Sequence, residues 1–229
     1  MKLQGSQLKD ASDSVLGECD TLLLDMDGTL LDLHFDNHVW LEVVPVEFAR
    51  QNSMPEQDAR EQLYKKMMAL RGTLNWYCLE FWSDELDLDI VGLHRTMNHK
   101  ITYLPGAEKF LQTVASSEMR VLLTTNSHQT TLDMKDEVTG LTRHFDEIYT
   151  CHDLGSPKEE QGYWNKLMEA EDFDPERTLF VDDNPHVLAS ARKFGIEHLV
   201  AIEAPDSNRP AKSFDEYHSV EGVAKLTEL

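Results

Sequence analysis

Asp25 and Asp27 stand one residue apart in LLLDMDGTLLD, residues 22–32, directly behind three leucines. Two carboxylates this close repel each other, and burying them beside Leu22, Leu23 and Leu24 is costly unless something positive joins them. Other polar groups also follow apolar runs. Thr125, Asn126 and Ser127 close and follow RVLLTT, Lys158 stands in CHDLGSPKEE after EIYT, and Asp182 ends TLFVD with Asp183 directly after it. Together they fit phosphoryl transfer. A phosphate monoester is a dianion that resists attack by an anion, and four carboxylates alone would make matters worse. A Mg2+ ion on hard oxygen ligands neutralises the acids and bridges to phosphate, and Lys158 can balance the remaining charge. Asp25 is the natural nucleophile, because an ordinary aspartate is ionised at neutral pH and needs no base. Period-two geometry puts Asp27 on the same side. There it can protonate a leaving oxygen and then take a proton from water, which demands a raised pKa that like-charge proximity supplies. Thr125 and the backbone amides near Gly28 can donate hydrogen bonds to phosphate oxygens.

These residues need a scaffold that brings them together. Five strand-like runs are readable: TLLLD at 21–25, RVLLTT at 120–125, EIYT at 147–150, TLFVD at 178–182 and HLVAI at 198–202. Near-continuous apolar character marks strands buried on both faces, and alternation with helical patterns predicts a parallel sheet. Ligands of such α/β sheets bind at the carboxyl ends of the strands, where all four polar groups would converge. About ninety residues separate the first two runs, far more than one crossover helix needs. Most read as helix. SMPEQDAREQLYKKMMALR opens with Ser53, Pro55 and Glu56 at capping-box spacing, and DIVGLHRTMNHKI puts Ile90, Leu93, Met97 and Ile101 on one face. YLPGAEKFLQTVA returns the chain to the core, with Phe110, Leu111 and Val114 inward. The expected fold is therefore α/β, a Rossmann-like parallel sheet core over 1–34 and 104–229. A helical cap domain over 35–103 is inserted after the first strand. Asn184, Pro185 and Gly195 bracket a helix by cap, first turn and stop. The tail after residue 203 reads as a polar loop and one short helix.

Asp and Glu number 42 against 21 Lys and Arg, a formal net charge of −21. Such a surface repels nucleic acid and anionic lipid, which excludes both as expected partners. Cys19, Cys78 and Cys151 form neither a disulfide framework nor a metal-type pair by spacing, which fits a reducing compartment. Residues 1–20 lack the apolar core of a signal peptide, and no apolar run approaches the ~20 residues needed to span a bilayer. A soluble cytoplasmic protein is the expectation.

DMDGTL, TTNS, GSPK and FVDDN, in this order, resemble the four motifs of the haloacid dehalogenase-like hydrolase superfamily, and the spacing resembles members with a helical cap between motifs one and two. The resemblance covers nearly the whole chain except its ends. It implies that Asp25 is the nucleophile, Asp27 the acid/base, and Thr125 and Lys158 phosphate binders beside Asn126. It also implies a Mg2+ cofactor on Asp25, the backbone carbonyl of Asp27, and Asp183, with Asp182 alongside. DLHFDNHVW, TLNWYCLEFWSDELDLDI and ERTLFVDDN look like the GMP/IMP nucleotidase branch of that superfamily, which implies a purine 5′-monophosphate substrate. Trp76, Tyr77, Phe81 and Trp82 lie in that part of the match; aromatic faces can stack on a purine, though rings at helical spacing usually build core.

Other readings stand beside these. Another small-metabolite phosphatase or a phosphomutase, similar to phosphoglycolate phosphatase or β-phosphoglucomutase, fits the same motifs, and a non-catalytic regulator fits the same fold. A dehalogenase has no use for the carboxyl of Asp27. His34 and His38, four residues apart, could offer one metal face, with no third ligand evident. Cys78 and Cys151 read as buried packing.

Overall fold

The computed structural model describes residues 15–228. Most of residues 1–20, read above as lacking a signal peptide's apolar core, therefore lies outside the described residues. Six strands form one parallel sheet: β1 Thr21–Leu24, β2 Arg120–Thr125, β3 Glu147–Thr150, β4 Thr178–Asp182, β5 His198–Ile202 and β6 His218–Val220. The order is β3-β2-β1-β4-β5-β6, with β1 between β2 and β4. Leu24 is in register with Leu123 on one side and Val181 on the other, so the three chains leave the sheet side by side at one edge.

Successive strand residues face opposite sides of a sheet, and here both sides are buried. Leu22, Leu24, Val121, Leu123, Leu179, Val181 and Val200 join one apolar core. Leu23, Leu122, Phe180, Leu199 and Ala201 join the other. That two-sided burial is the physical reason the strands read as unbroken apolar runs rather than alternating ones. The first five strands fall where the runs predict them. β6 was not expected: its three residues are polar at two positions, and it is held by register with Val200–Ile202 rather than by its own pattern.

Between β1 and β2 the chain is helical. α1 Val15–Glu18 precedes the sheet. α2 His34–His38 runs through a π-helical turn, Val39–Val43, into α3 Val44–Gln51. Pro45, near the start of α3, has no N–H to give a continuous helix, and the wide turn ahead of it absorbs the lost bond. α4 Glu56–Leu70 starts after Pro55, which caps without a side-chain bond. The expected capping box fails because Ser53 lies in the left-handed region, with φ 51°, and belongs to the preceding turn. Next come α5 Leu74–Tyr77, α6 Leu79–Leu86 and α7 Ile90–Thr96, the last capped by Asp89, whose carboxylate accepts from Gly92 N at 2.8 Å. α8 Ala107–Val114 buries Phe110, Leu111 and Val114 as predicted. α9 Gln129–Thr139, α10 Gln161–Ala170 and α11 Pro185–Phe194 complete the crossovers. α11 has the expected Asn184 cap and Gly195 stop. No described helix is long and apolar enough to cross a membrane.

Candidate active site

The exits of β1, β2 and β4 and the turn before α10 meet at the floor of a cavity of about 880 Å³. Asp25, Asp27, Thr125, Asn126, Lys158, Asp182 and Asp183 all line it, so every residue expected from the sequence arrives in one place. Asp25 is fixed first: its amide donates to Val181 O at 3.0 Å, continuing the sheet by one bond. The chain then turns back on itself, with Leu30 N and Leu31 N both donating to Met26 O at 2.9 Å. Gly28 makes the turn with φ 86°; a Cβ there would stand 2.9 Å from Cγ of Asp183. The backbone of this loop therefore touches the carboxylate at the end of β4, an approach only glycine permits.

Lys158 is buried at the centre. Its ammonium donates to Oδ1 of Asp25 at 2.6 Å, Oδ2 of Asp182 at 2.7 Å and the carbonyl of Thr124 at 3.0 Å. All three protons are thus committed to groups of the chain. The helix that follows starts at Gln161, and Lys158 sits in the turn before it. The turn is fastened by Asn126, whose Oδ1 accepts from Lys158 N at 2.9 Å while its Nδ2 donates to Glu159 at 2.9 Å. Trp164 Nε1 donates to Lys158 O at 2.9 Å and closes the same turn from below. Thr125 Oγ1 accepts from Ser127 N at 2.9 Å.

Asp25, Asp182 and Asp183 are buried, and each offers a carboxylate oxygen within 4.8 Å of the others. Oδ2 of Asp25 is buried without any hydrogen-bond partner. An unpaired anionic oxygen beside two more carboxylates is costly unless a cation joins it, and an all-oxygen donor set suits a hard divalent ion such as Mg2+. These residues fit that ion. Asp182 is shared with Lys158 and accepts from Asn184 N at 2.8 Å; Asp183 accepts from Lys212 Nζ at 2.9 Å. Burial raises Asp25 to about 7 against the pull of Lys158, with Asp182 and Asp27 adding to the rise. Burial likewise raises Asp182 to about 6 against Lys158, with Asp183 adding. A divalent cation would reverse both shifts.

The side chain of Asp27 is not in that group. It turns to Lys135, whose ammonium lies 2.6 Å from Asp27 Oδ1 and 2.9 Å from both oxygens of Asp36. Burial raises Asp27 to about 6, opposed by Lys135 and reinforced by Asp36. Lys135 was not foreseen. It sits in α9 among polar residues and no motif marks it; only its position on the buried face, beside Thr131, Leu132 and Met134, sets it apart. Arg209 and Lys212, from the tail that carried no readable function, also line the cavity.

The aromatic cluster divides. Trp76, Tyr77 and the otherwise buried Trp82 line the cavity, while Phe81 packs edge-on against Trp82 without lining it. Tyr77 donates its hydroxyl to Glu159 at 2.7 Å, joining the helical segment to the turn of Lys158. Trp40, not singled out from the sequence, also lines the cavity and packs edge-on to Trp82 and His94. His34 and His38 lie 5.8 Å apart by ring centroid, and His34 faces Asp206 at 4.0 Å. Neither metal-ligating group of three found among the described residues includes them. Cys151 is buried, but Cys78 is only half-buried, contrary to its reading as packing.

The family model described as haloacid dehalogenase-like hydrolase matches residues 22–201. The chain is 38% identical over 209 residues to GMP/IMP nucleotidase YrfG of Escherichia coli strain K12, covering 91% of this chain and 94% of that protein. In structure it is similar to a HAD phosphatase from Thermococcus onnurineus, with TM-score 0.76, 21% identity and coverage of 91% and 96%. It is also similar to the putative HAD-hydrolase YfnB from Bacillus subtilis, bound to magnesium, with TM-score 0.66, 18% identity and coverage of 92% and 97%.

Proposed function

The chain belongs to the haloacid dehalogenase-like hydrolase family and is a phosphatase, and from that premise we propose that it hydrolyses purine nucleoside 5′-monophosphates through an aspartyl-phosphate on Asp25. The observation that carries the chemistry is the partnerless Oδ2 of Asp25, buried at the cavity floor while Oδ1 is held by Lys158 at 2.6 Å. Lys158 fixes Oδ1, so the carboxylate of Asp25 is oriented before substrate and cation arrive. Its carboxylate oxygen bonds to phosphorus as the ester P–O bond breaks. Asp27, neutral, gives its proton to the departing 5′-oxygen. Asp27 then takes a proton from a water molecule, whose oxygen attacks phosphorus; phosphate leaves and Asp25 is restored. A pKa of about 6 suits a group that must give and retake a proton near neutrality. Mg2+, held by Asp25 and Asp183 with the Asp27 carbonyl and with Asp182 beside them, would neutralise charge on the phosphoryl oxygens. Thr125 and Asn126, at the exit of β2, flank the phosphate position.

The purine reading is supported by the nucleotidase relative and by Trp40, Trp76 and Tyr77 on the walls of the same cavity. Residues 35–103 would act as a cap over the core formed by 1–34 and 104–229. That arrangement encloses the ester and keeps stray water from the intermediate. The test is a phosphate-release screen with GMP, IMP, AMP, phosphoglycolate and sugar phosphates, with and without EDTA. Strong, EDTA-sensitive turnover of GMP and IMP is expected. Selectivity for phosphoglycolate, or interconversion of sugar phosphates without net release, would overturn the nucleotide assignment.

A further inference from the structure

Besides the carboxylate group, one other set of metal-ligating side chains comes together among the described residues: Cys78, His128 and His152, whose donor atoms all lie within 4.8 Å of one another. They come from three places. Cys78 is the N-cap of α6, His128 is the N-cap of α9, and His152 lies in the turn after β3. The rings of His128 and His152 meet edge to face, 4.8 Å between centroids. Glu80 stands over the set, its Oε2 2.7 Å from His128 Nε2 and 3.7 Å from Cys78 Sγ.

A second observation points to a ligand. Nε2 of His152 is buried with no hydrogen-bond partner. Its other nitrogen, Nδ1, lies 3.3 Å from Cys151 Sγ, and that sulfur is 3.1 Å from the carbonyl of Asn126. A thiol facing a carbonyl oxygen at this distance donates its hydrogen bond to it. His152 Nδ1–H then donates to Cys151 Sγ, and Nε2 is left with a lone pair and nothing to receive it. A ligating histidine is commonly oriented in this way, by a hydrogen bond from its other ring nitrogen. Cys78 Sγ accepts from Phe81 N at 3.4 Å, a contact that holds the sulfur beside the two imidazoles.

We propose that Cys78, His128 and His152, with Glu80 in reach as a fourth ligand, form a second metal site that takes a zinc-type ion and is distinct from the oxygen-only group around Asp25. One sulfur and two imidazole nitrogens are borderline-soft donors. They suit tetrahedral Zn2+ and offer little to Mg2+. Tetrahedral zinc needs donors ~3.5 Å apart, so modest side-chain rotation closes the set on the ion. Because Cys78 and Glu80 come from the helices between β1 and β2 while His128 and His152 come from the sheet edge, an ion here ties the two parts together beside the cavity that His128 lines.

The test is cobalt(II) titration of the full chain in saturating Mg2+, which occupies the oxygen group, followed by zinc competition. One equivalent of cobalt should give the thiolate-to-cobalt charge-transfer band and the intense visible bands of tetrahedral coordination, both bleached by zinc. Cys78→Ser should abolish the charge-transfer band, and His152→Gln should weaken cobalt binding at least tenfold. Zinc should raise the unfolding temperature of the unsubstituted protein and not that of Cys78→Ser. Absence of the band, or a band of equal strength in Cys78→Ser, would overturn the site. So would His152→Gln binding cobalt as tightly as the unsubstituted chain. These readouts do not depend on which phosphomonoester the enzyme takes.

Discussion

The buried ammonium of Lys135 lies 2.6 Å from Oδ1 of Asp27 and bridges it to Asp36, both carboxylates being half-buried. Lys135 itself touches no reacting atom in the proposed mechanism; it is a positioning residue that sets where Asp27 points and how readily it loses its proton. Lys135→Met removes the cation that draws the pKa of Asp27 down. Two effects are expected. Stability falls by about 3 kcal/mol at neutral pH, because two partly buried carboxylates lose their shared partner. The alkaline limb of the kcat/KM profile moves to higher pH, because Asp27 holds its proton longer. A thermal melt and a pH–rate profile check the pair. A limb that stays in place would detach Lys135 from the acid/base step.

Asp25→Asn separates chemistry from stability. The amide cannot attack phosphorus, so turnover should drop by at least about three orders of magnitude. Lys158 keeps Asp182 at 2.7 Å and the Thr124 carbonyl at 3.0 Å. The remaining acids lose a charged neighbour, so the unfolding temperature should stay level or rise. Phosphate release and a melt on the same preparation decide it. Full activity in this variant would rule out the aspartyl-phosphate route.

Much of this site was legible because the sheet registers its strands through backbone bonds. Once β1, β2 and β4 run parallel, residues after each apolar run must share an edge, and Asp25, Thr125 and Asp182 follow from chain order alone. What stayed hidden depends on side chains meeting across the fold. Lys135 looks like any helix lysine until α9 turns it toward Asp27. Cys78, His128 and His152 lie 50 and 24 residues apart, a spacing no metal motif matches, and only the meeting of α6, α9 and the turn after β3 joins them. β6 and the cavity-lining positions of Arg209 and Lys212 were missed because the tail lacks an apolar period; only register with β5 fixes β6.

Gly28 carries a prediction about metal geometry. Its φ of 86° and the 2.9 Å clearance from a Cβ to both Asp183 Cγ and Pro205 Cβ leave no room for a side chain. Gly28→Ala should cost about 1 to 3 kcal/mol from strain. It should also push the Asp183 carboxylate away from Asp25, so half-maximal activity needs more Mg2+. Activity against Mg2+ concentration, at a temperature well below the variant's melt, tests this. An unchanged Mg2+ requirement would mean that the contact with Asp183 is incidental.

The shifted carboxyls also fix how the metal-free protein responds to pH. Burial holds Asp25 at about 7 and Asp27 and Asp182 at about 6, all raised from 3.8. Between those limits the native state binds more protons than the unfolded chain, so stability falls as pH rises. The contribution of these groups is fully present below about pH 4 and gone above about pH 7. Lys135 and Lys158 are raised above 10.5 and do not titrate in this window. Chelator-treated protein should therefore melt at a lower temperature at about pH 8 than at about pH 5. Mg2+ competes with protons for the same oxygens, so the stabilisation it adds should be small at the lower pH and large at the higher. Melting curves at both pH values, with and without Mg2+, measure the four corners. A metal-free protein that grows more stable over this range would mean that these carboxyls are ionised in the fold without a cation.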